Sequence, residues 1–251
     1  MDMPIPGQQI ARHTRAAILA LVVLGAAQTA SAGSQPSGVA YPQMRPGAEY
    51  LMPSRAAEIS LARSAAPAAI SESATVLVLS SKGYETAVKG TNGFTCLVER
   101  AWMSPFDSPE FWNPKLRGPV CYNPAATRSI LPITRYRTKL AQAGTPKMRM
   151  FDEIRVAIAR KELPALEPGA MSFMMSKDGY LSDDAGHWHS HLMFYIAGTD
   201  TSSWGANLPG SPVVVDDEHR KIPEQQIIFL VPVSRWSDGS FAPAAGHAAE
   251  N

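Results

Sequence analysis

The chain of 251 residues contains only two cysteines, Cys96 and Cys121. At most one bridge can form, so the fold cannot be a heavily stapled one and must rest on its own core. Excess charge of either sign is missing too: 23 Lys and Arg face 22 Asp and Glu, a formal net charge of +1. That balance argues against a nucleic-acid partner or a general anionic-membrane binder, both of which need a basic surface. Long apolar runs are scarce. The run Ala16–Ala27 is shorter than the ~20 residues that span a bilayer, and no later segment is apolar enough to do so. No Gly-x-Ser-x-Gly elbow, Ser-x-x-Lys pair, phosphate-binding glycine loop or His-Glu-x-x-His motif occurs. No internal repeat is found.

What is present begins with a leader. Arg12 and Arg15 precede the apolar run, and Ala30-Ser31-Ala32 precedes Gly33. This is the three-part layout of a secretory signal peptide over residues 1–32. Cleavage after Ala32 removes Arg12, Arg15 and Asp2, leaving about 220 residues with no net charge. No cysteine follows the apolar run and no twin arginine precedes it, so neither a lipid anchor nor the twin-arginine route is indicated. The expectation is an exported protein, periplasmic or secreted, with no stable membrane anchor after cleavage. Export favours a Cys96–Cys121 disulfide, with two free thiols or a metal–thiolate pair as alternatives. Closing that loop of about 25 residues is worth roughly 3–4 kcal/mol on a chain-entropy account.

Residues 33–53 are rich in Gly, Ser, Pro and Ala and read as a flexible arm. A single domain is expected over 54–240, followed by a disordered Ala-rich tail over 241–251. Pro53-Ser54 opens a helix that Pro67 ends or restarts. Ala74–Ser80 is a buried strand, Tyr84–Lys89 a second, and Gly90-Thr91-Asn92-Gly93 a hairpin turn into a third, Phe94–Arg100. In the third strand Phe94, Cys96 and Val98 share one face, and Thr95, Leu97 and Glu99 the other. These strands form an expected antiparallel meander. Trp102–Pro124, with five prolines and five aromatics, reads as an irregular excursion. Two helices follow: one runs from Ala125 to Ala143, interrupted at Pro132, and one, capped by Thr145, ends near Lys161. Strands are expected at Ala170–Ser176, 187–197, Val213–Val215 and Gln226–Val233. The fold class is α+β, an antiparallel β-sheet with helices packed mainly on one face. Its strand–strand–helix–strand–strand order is similar to that of PAS or profilin sheets, an order that carries no function.

Chemistry concentrates in Gly186–Ile196, where His187, His189 and His191 alternate with other residues. On a strand, these three share a face with Met193 and Tyr195, while Trp188, Leu192, Phe194 and Ile196 line the other, expected to be the core face. Imidazoles suit a divalent transition metal, Zn or Cu in particular. The outer pair lies about 13 Å apart along a strand, so only two of the three can share one ion. A third ligand must come from elsewhere. His219, Asp216, Asp217 and Glu218 are the first candidates, Asp183 and Asp184 the local ones. Tyr195, Trp204 and Asn207 are placed around a ligand pocket under the loop 198–212. The competing reading is a row of hydrogen-bonding histidines in a pocket without metal.

The segments NGFTCLVER, PGAMSFMMSKDGYL, GHWHSHLMFY and WGANLPGSPV together resemble a group of uncharacterised secreted bacterial proteins. That resemblance implies export but neither an activity nor a ligand. The residues leave three functions open: an exported protein binding a metal or small ligand at the histidine-lined face, a metal-dependent hydrolase or oxidoreductase using the same histidines, or a structural protein with no catalytic site.

Overall fold

A computed structural model describes residues 41–183, 185–198, 201–215, 222–224 and 226–243. The leader and the first part of the arm therefore lie outside the described residues, as does the tail from residue 244. Within them the elements run α1 (Arg55–Arg63), α2 (Ala68–Ser71), β1 (Thr75–Ser80), β2 (Gly83–Val88), β3 (Thr95–Glu99), β4 (Gly118–Tyr122), α3 (Pro124–Ser129), α4 (Leu131–Gln142), α5 (Lys147–Ala159), β5 (Met171–Met174), β6 (His191–Ala197) and β7 (Gln226–Pro232). The strands make one seven-stranded sheet in the order β2-β1-β3-β4-β5-β6-β7. Every neighbouring pair is antiparallel except β1–β3. The class is α+β, and no helix among the described residues is long and apolar enough to cross a membrane.

Alternation along the strands builds two cores. Leu77, Leu79, Leu97, Val120 and Tyr122 face α3, α4 and α5 in the larger one. Val76, Cys96, Val98 and Cys121 face Ala62, Ala65 and Ala66, at and just beyond the end of α1, in the smaller one. The larger helices thus cover one face and α1 backs the other. Ser54 caps α1 by accepting from the amide of Ala57. Cys96 and Cys121 sit directly opposite each other on β3 and β4 and form the disulfide, with a sequence separation of 25.

Several expectations are corrected. The first three strands are not a meander, because β3 lies beside β1 and parallel to it. The segment at Gly90 is a crossing rather than a hairpin turn. Thr91 donates to the carbonyl of Ser73 at 2.8 Å and Thr75 to that of Phe94 at 2.9 Å, which straps the connection across the start of β1. Glycine is required there, since a Cβ on Gly90 would stand 2.2 Å from backbone atoms of Ala74 and Thr75. The excursion after Trp102 ends sooner than Pro124, in β4, a fully buried central strand. Its aromatics Trp102, Phe106, Phe111 and Trp112 are core residues. Pro132 does not break its helix; it occupies the first turn of α4, where its missing N–H costs nothing. Pro146, not Thr145, precedes α5, which has no side-chain cap and ends at Ala159.

Of the arm, residues 41–53 are tied to the domain. Tyr50 is buried and its hydroxyl donates to the Trp112 carbonyl at 2.9 Å. Arg100, fully buried, donates from Nε to the Tyr50 carbonyl at 2.6 Å, and its guanidinium meets the Glu58 carboxylate at 2.8 Å. Glu58 also accepts from the amide of Leu79 at 3.0 Å. At the other end of the chain, Arg235 and Phe241 pair and stack.

The close crossing at Gly90 is directly testable. Gly90→Ala should cost more than about 3 kcal/mol in urea denaturation, because backbone must move to admit the methyl group. Gly47→Ala, where a Cβ meets nothing within 4 Å, should stay within about 0.5 kcal/mol of the wild type.

Candidate functional site

Strand β6 starts at His191, later than expected, so the three histidines do not stand in a row on one strand. His187 turns its ring to Trp236, with centroids 6.0 Å apart, and its Nδ1 lies 3.2 Å from the Trp188 carbonyl. His189 and His191 instead line one pocket, of about 480 Å³, together with Glu99. The faces of β6 are also the reverse of the expectation. Met193 and Tyr195 pack into the larger core, below α3 and α4. Phe194 and Ile196 pack with Val215, Ile227 and Phe229 in a small separate cluster. The side of β6 that carries His191 is therefore the main core side, and this is why a histidine there borders a cavity and not open solvent.

The pocket is assembled from six stretches that are remote in sequence, one of them Val214. Glu99 closes β3, and Met103 to Pro105 follow it. Leu116 and Gly118 lead into β4, and Met174 ends β5. Trp188 to Met193 and Leu230 with Pro232 of β7 complete the wall. Trp188 seats on two glycines. A Cβ on Gly118 would stand 2.7 Å from its Cη2, and one on Gly179 would stand 2.9 Å from its Nε1. That Nε1 is buried without a hydrogen-bond partner, so packing alone fixes the indole. Its ring meets His191 edge-on at 6.1 Å between centroids.

His191 Nδ1 lies 2.6 Å from the His189 carbonyl oxygen. A carbonyl only accepts, so Nδ1 carries the proton and Nε2 of the neutral ring keeps its lone pair. Burial pushes the His191 pKa down, which favours that neutral form.

Glu99 is a pocket residue that the sequence did not single out. It stands between the pocket and a smaller chamber of about 100 Å³ behind it; Glu99, Met103 and Met193 line both. The chamber also takes in Tyr122, Arg137, Tyr195 and Glu224. Tyr122 donates to Glu99 Oε1 through a short hydrogen bond, and its oxygen lies 3.0 Å from Thr134 Oγ1. Burial raises the Glu99 pKa to about 7, although the Tyr122 hydrogen bond and the nearby Arg137 charge pull the other way. Tyr195, expected at the site, borders the chamber with its hydroxyl 3.1 Å from Ser172 Oγ; burial drives its pKa well up.

Other expected site residues lie elsewhere. Trp204 stacks on Phe229 at 5.2 Å, beside the small cluster on the opposite face of the sheet from the pocket. Asn207 clamps its own loop, donating to the Val215 carbonyl at 2.9 Å and accepting from the Val215 amide at 3.0 Å. Asp183 is engaged by Tyr41, Tyr180 and Lys115 at the surface. Asp184, Asp216, Asp217, Glu218 and His219 lie outside the described residues. Among the described residues no three His, Cys, Asp or Glu side chains are placed to share a metal ion. A larger cavity, about 950 Å³, lies between residues 42–51 and the α4–α5 junction. Its charged lining residues are Arg45 and Lys147, and it gathers no acid–base pair. No protein family, curated protein or solved structure matches the chain.

The raised pKa of Glu99 makes stability depend on pH with a definite sign. From about pH 4.5 to about pH 7, Glu99 ionises in the unfolded chain but stays protonated in the folded one. Its contribution therefore falls as pH rises through that window. His191, with its lowered pKa, acts oppositely, favouring folding less as the medium becomes acid. Comparing wild type with Glu99→Gln cancels the histidine. Between about pH 5 and about pH 8 the wild type should lose on the order of 2 kcal/mol relative to the variant in urea titrations, a figure discounted because the carboxyl borders an open pocket. A pH-independent difference would show that Glu99 is solvated normally.

Proposed function

We propose that this is an exported binding protein that receives one small, largely apolar molecule in the pocket bordered by Glu99, His189 and His191. One observation carries the reading: a concavity of about 480 Å³ walled by Trp188, Met103, Met174, Met193, Leu116 and Leu230, with a few convergent polar groups. That is the size and character of sites that enclose small organic ligands. The three methionines add an adaptable wall, since thioether side chains repack around irregular shapes. His189, exposed, stands at the mouth; Glu99, at the chamber, forms the inner end. Export is supported by the leader-like segment 1–32 and by the disulfide, a bond that persists in oxidising compartments.

The metal-binding variant of this reading places the ion on His189 and His191. It needs a third donor, for which residues 216–219 are the candidates, and the organic-ligand reading needs none. The pocket lining supports the latter.

Two measurements test the proposal. Mass spectrometry of protein secreted by a bacterial host should give a mature chain starting at Gly33; a chain that keeps residues 1–32 removes the export arm. For the pocket, the neutral fluorophore N-phenyl-1-naphthylamine should brighten on saturable binding to the wild type. Gly118→Val drives a side chain into the seat of Trp188 and should weaken that binding at least about tenfold while the circular dichroism spectrum stays native. Equal brightening by a natively folded Gly118→Val protein would place the dye elsewhere and sink the pocket.

A further inference from the structure

We infer that the ligand of this pocket is an organic monocation, a primary or secondary ammonium on an apolar body, with Glu99 as its counter-ion and Nε2 of His191 accepting a second N–H. This inference rests on the pocket reading above and adds the chemical class of the ligand.

The argument is a census of charge around the pocket. Arg100 is the nearest cation along the chain, and each of its three nitrogens is engaged: Nε donates to the Tyr50 carbonyl, one terminal nitrogen to the Val98 carbonyl and the other to Glu58. Arg137 of α4 is engaged as fully. It pairs with Glu224 at 3.2 and 3.0 Å, and its remaining nitrogen serves the carbonyls of Trp102, Met103 and Ser104. Phe106 covers that guanidinium at 4.7 Å. Glu58 with Arg100 and Glu224 with Arg137 are closed buried pairs. Glu99 remains with one neutral donor, the Tyr122 hydroxyl, and no ion pair among the described residues. A carboxylate in such a place is costly unless a cation arrives.

The ligand can supply that cation. The groups facing Glu99 are Tyr122 from β4, Arg137 from α4, Tyr195 and His191 from β6, His189 just before it, Arg100 beside it, and Glu224 ahead of β7. Both guanidiniums are committed, and burial favours the neutral form of His191. Among the polar side chains that line the pocket, Glu99 when ionised and Nε2 of neutral His191 offer acceptors. An ammonium, with two or three N–H donors and one positive charge, satisfies both. An anionic head group meets a like charge. The apolar body lies against Trp188 and the methionines, and a cation near an indole gains a further attraction.

The sign of the pH dependence separates a cation from a neutral ligand. A cation binds the ionised form of Glu99, whose pKa of about 7 in the free protein it must pull down. A neutral ligand that takes a proton from the carboxyl in a hydrogen bond binds the protonated form. The test is isothermal titration calorimetry of the mature protein with 4-phenylbutylamine and with 4-phenylbutanol, across about pH 5.5 to about pH 8.5. The amine keeps its charge throughout, its pKa being about 10 or above. The expected result is amine affinity rising toward tenfold per pH unit below about pH 7 and levelling above it, at least tenfold tighter than the alcohol at pH 8. Glu99→Gln should remove that advantage and leave the alcohol unchanged. If Glu99→Gln does not fold, the wild-type pH profile decides alone. Equal binding of the two compounds, or amine affinity falling as pH rises through 7, overturns the cation. If neither compound binds while the naphthylamine fluorophore still enters, the cation falls and the pocket stands. If the fluorophore fails as well, both fall.

Discussion

The buried pair of Arg100 and Glu58 is the constraint on which the rest depends. One guanidinium reaches the segment before α1, α1 itself and the end of β3, and the carboxylate reaches on to β1. Four pieces of chain, at Tyr50, Glu58, Leu79 and Val98, are thus fixed to one another by charge-assisted hydrogen bonds in a buried place. Such a pair does not stabilise more than well-packed apolar residues would, but removal of one partner typically costs 3–5 kcal/mol because the other is left buried and alone. Its effect is to specify one arrangement. The residue immediately before Arg100 is Glu99, so the same contacts that lock the end of β3 also decide where the pocket carboxyl stands. They consume the one cation that chain proximity would otherwise offer to it.

Around this hub the sheet provides a rigid frame and the loops provide the walls. β3 and β4, the central pair, are buried on both faces and joined by the Cys96–Cys121 bridge. Glu99 and Gly118 face each other at the end of that pair. One wall of the pocket is therefore set by the stiffest part of the fold, while Trp188, His189 and His191 come from the segment that feeds β6. Two edges of the sheet are protected in different ways. The β2 edge has carbonyls taken by Arg55 and Arg135. The β7 edge is crossed at Leu230 by Val214, and that bridge also brings Val214 into the pocket lining. Edge protection and pocket construction share residues here.

Much of the fold was legible in the sequence, and the failures have physical causes. The split of β3 into a Cys96–Val98 face and a Leu97–Glu99 face follows from period-two alternation and is what the structure shows. The helix opened by Pro53-Ser54 and the disulfide were equally readable. The parallel β1–β3 pair was not, because Asn92-Gly93 carries turn chemistry whether or not the turn belongs to a hairpin. Tertiary packing of Gly90 against Ser73–Thr75 decided the topology. The site was half legible. Histidine spacing pointed to a segment that lines the pocket, but the expected face was wrong, since the pattern His-Leu-Met-Phe-Tyr-Ile is apolar on both sides of β6. Glu99 gave little local signal. A lone carboxylate at the end of a strand has the composition of a solvated residue, and only the sequestration of Arg100 and Arg137 by other acids makes it unusual. One trace was available: Glu99 shares a strand face with Leu97, and an acid in register with a core residue is a candidate for burial.

Two carboxylates in this fold show why environment and not residue type assigns the role. Asp183 is exposed and accepts from two tyrosine hydroxyls and a lysine, which hold its pKa down to about 2. It is satisfied, it fastens Tyr41 to the loop beyond β5, and it has nothing left to offer a ligand. Glu99 is sequestered, accepts from one tyrosine, and titrates near 7. The difference arises from the number of donors supplied and the water withheld, and both are set by the frame around Arg100 and Arg137. Because Glu99 is half-buried and Asp183 is exposed, mobile ions screen its field less than they screen that of Asp183. An incoming charge would therefore meet a stronger interaction at Glu99 than at any surface acid of equal formal charge. Among the described residues the two buried acids each meet a buried arginine, Glu58 with Arg100 and Glu224 with Arg137. Glu99 keeps one neutral donor and no ion pair among the described residues, an arrangement that a bound cation would complete.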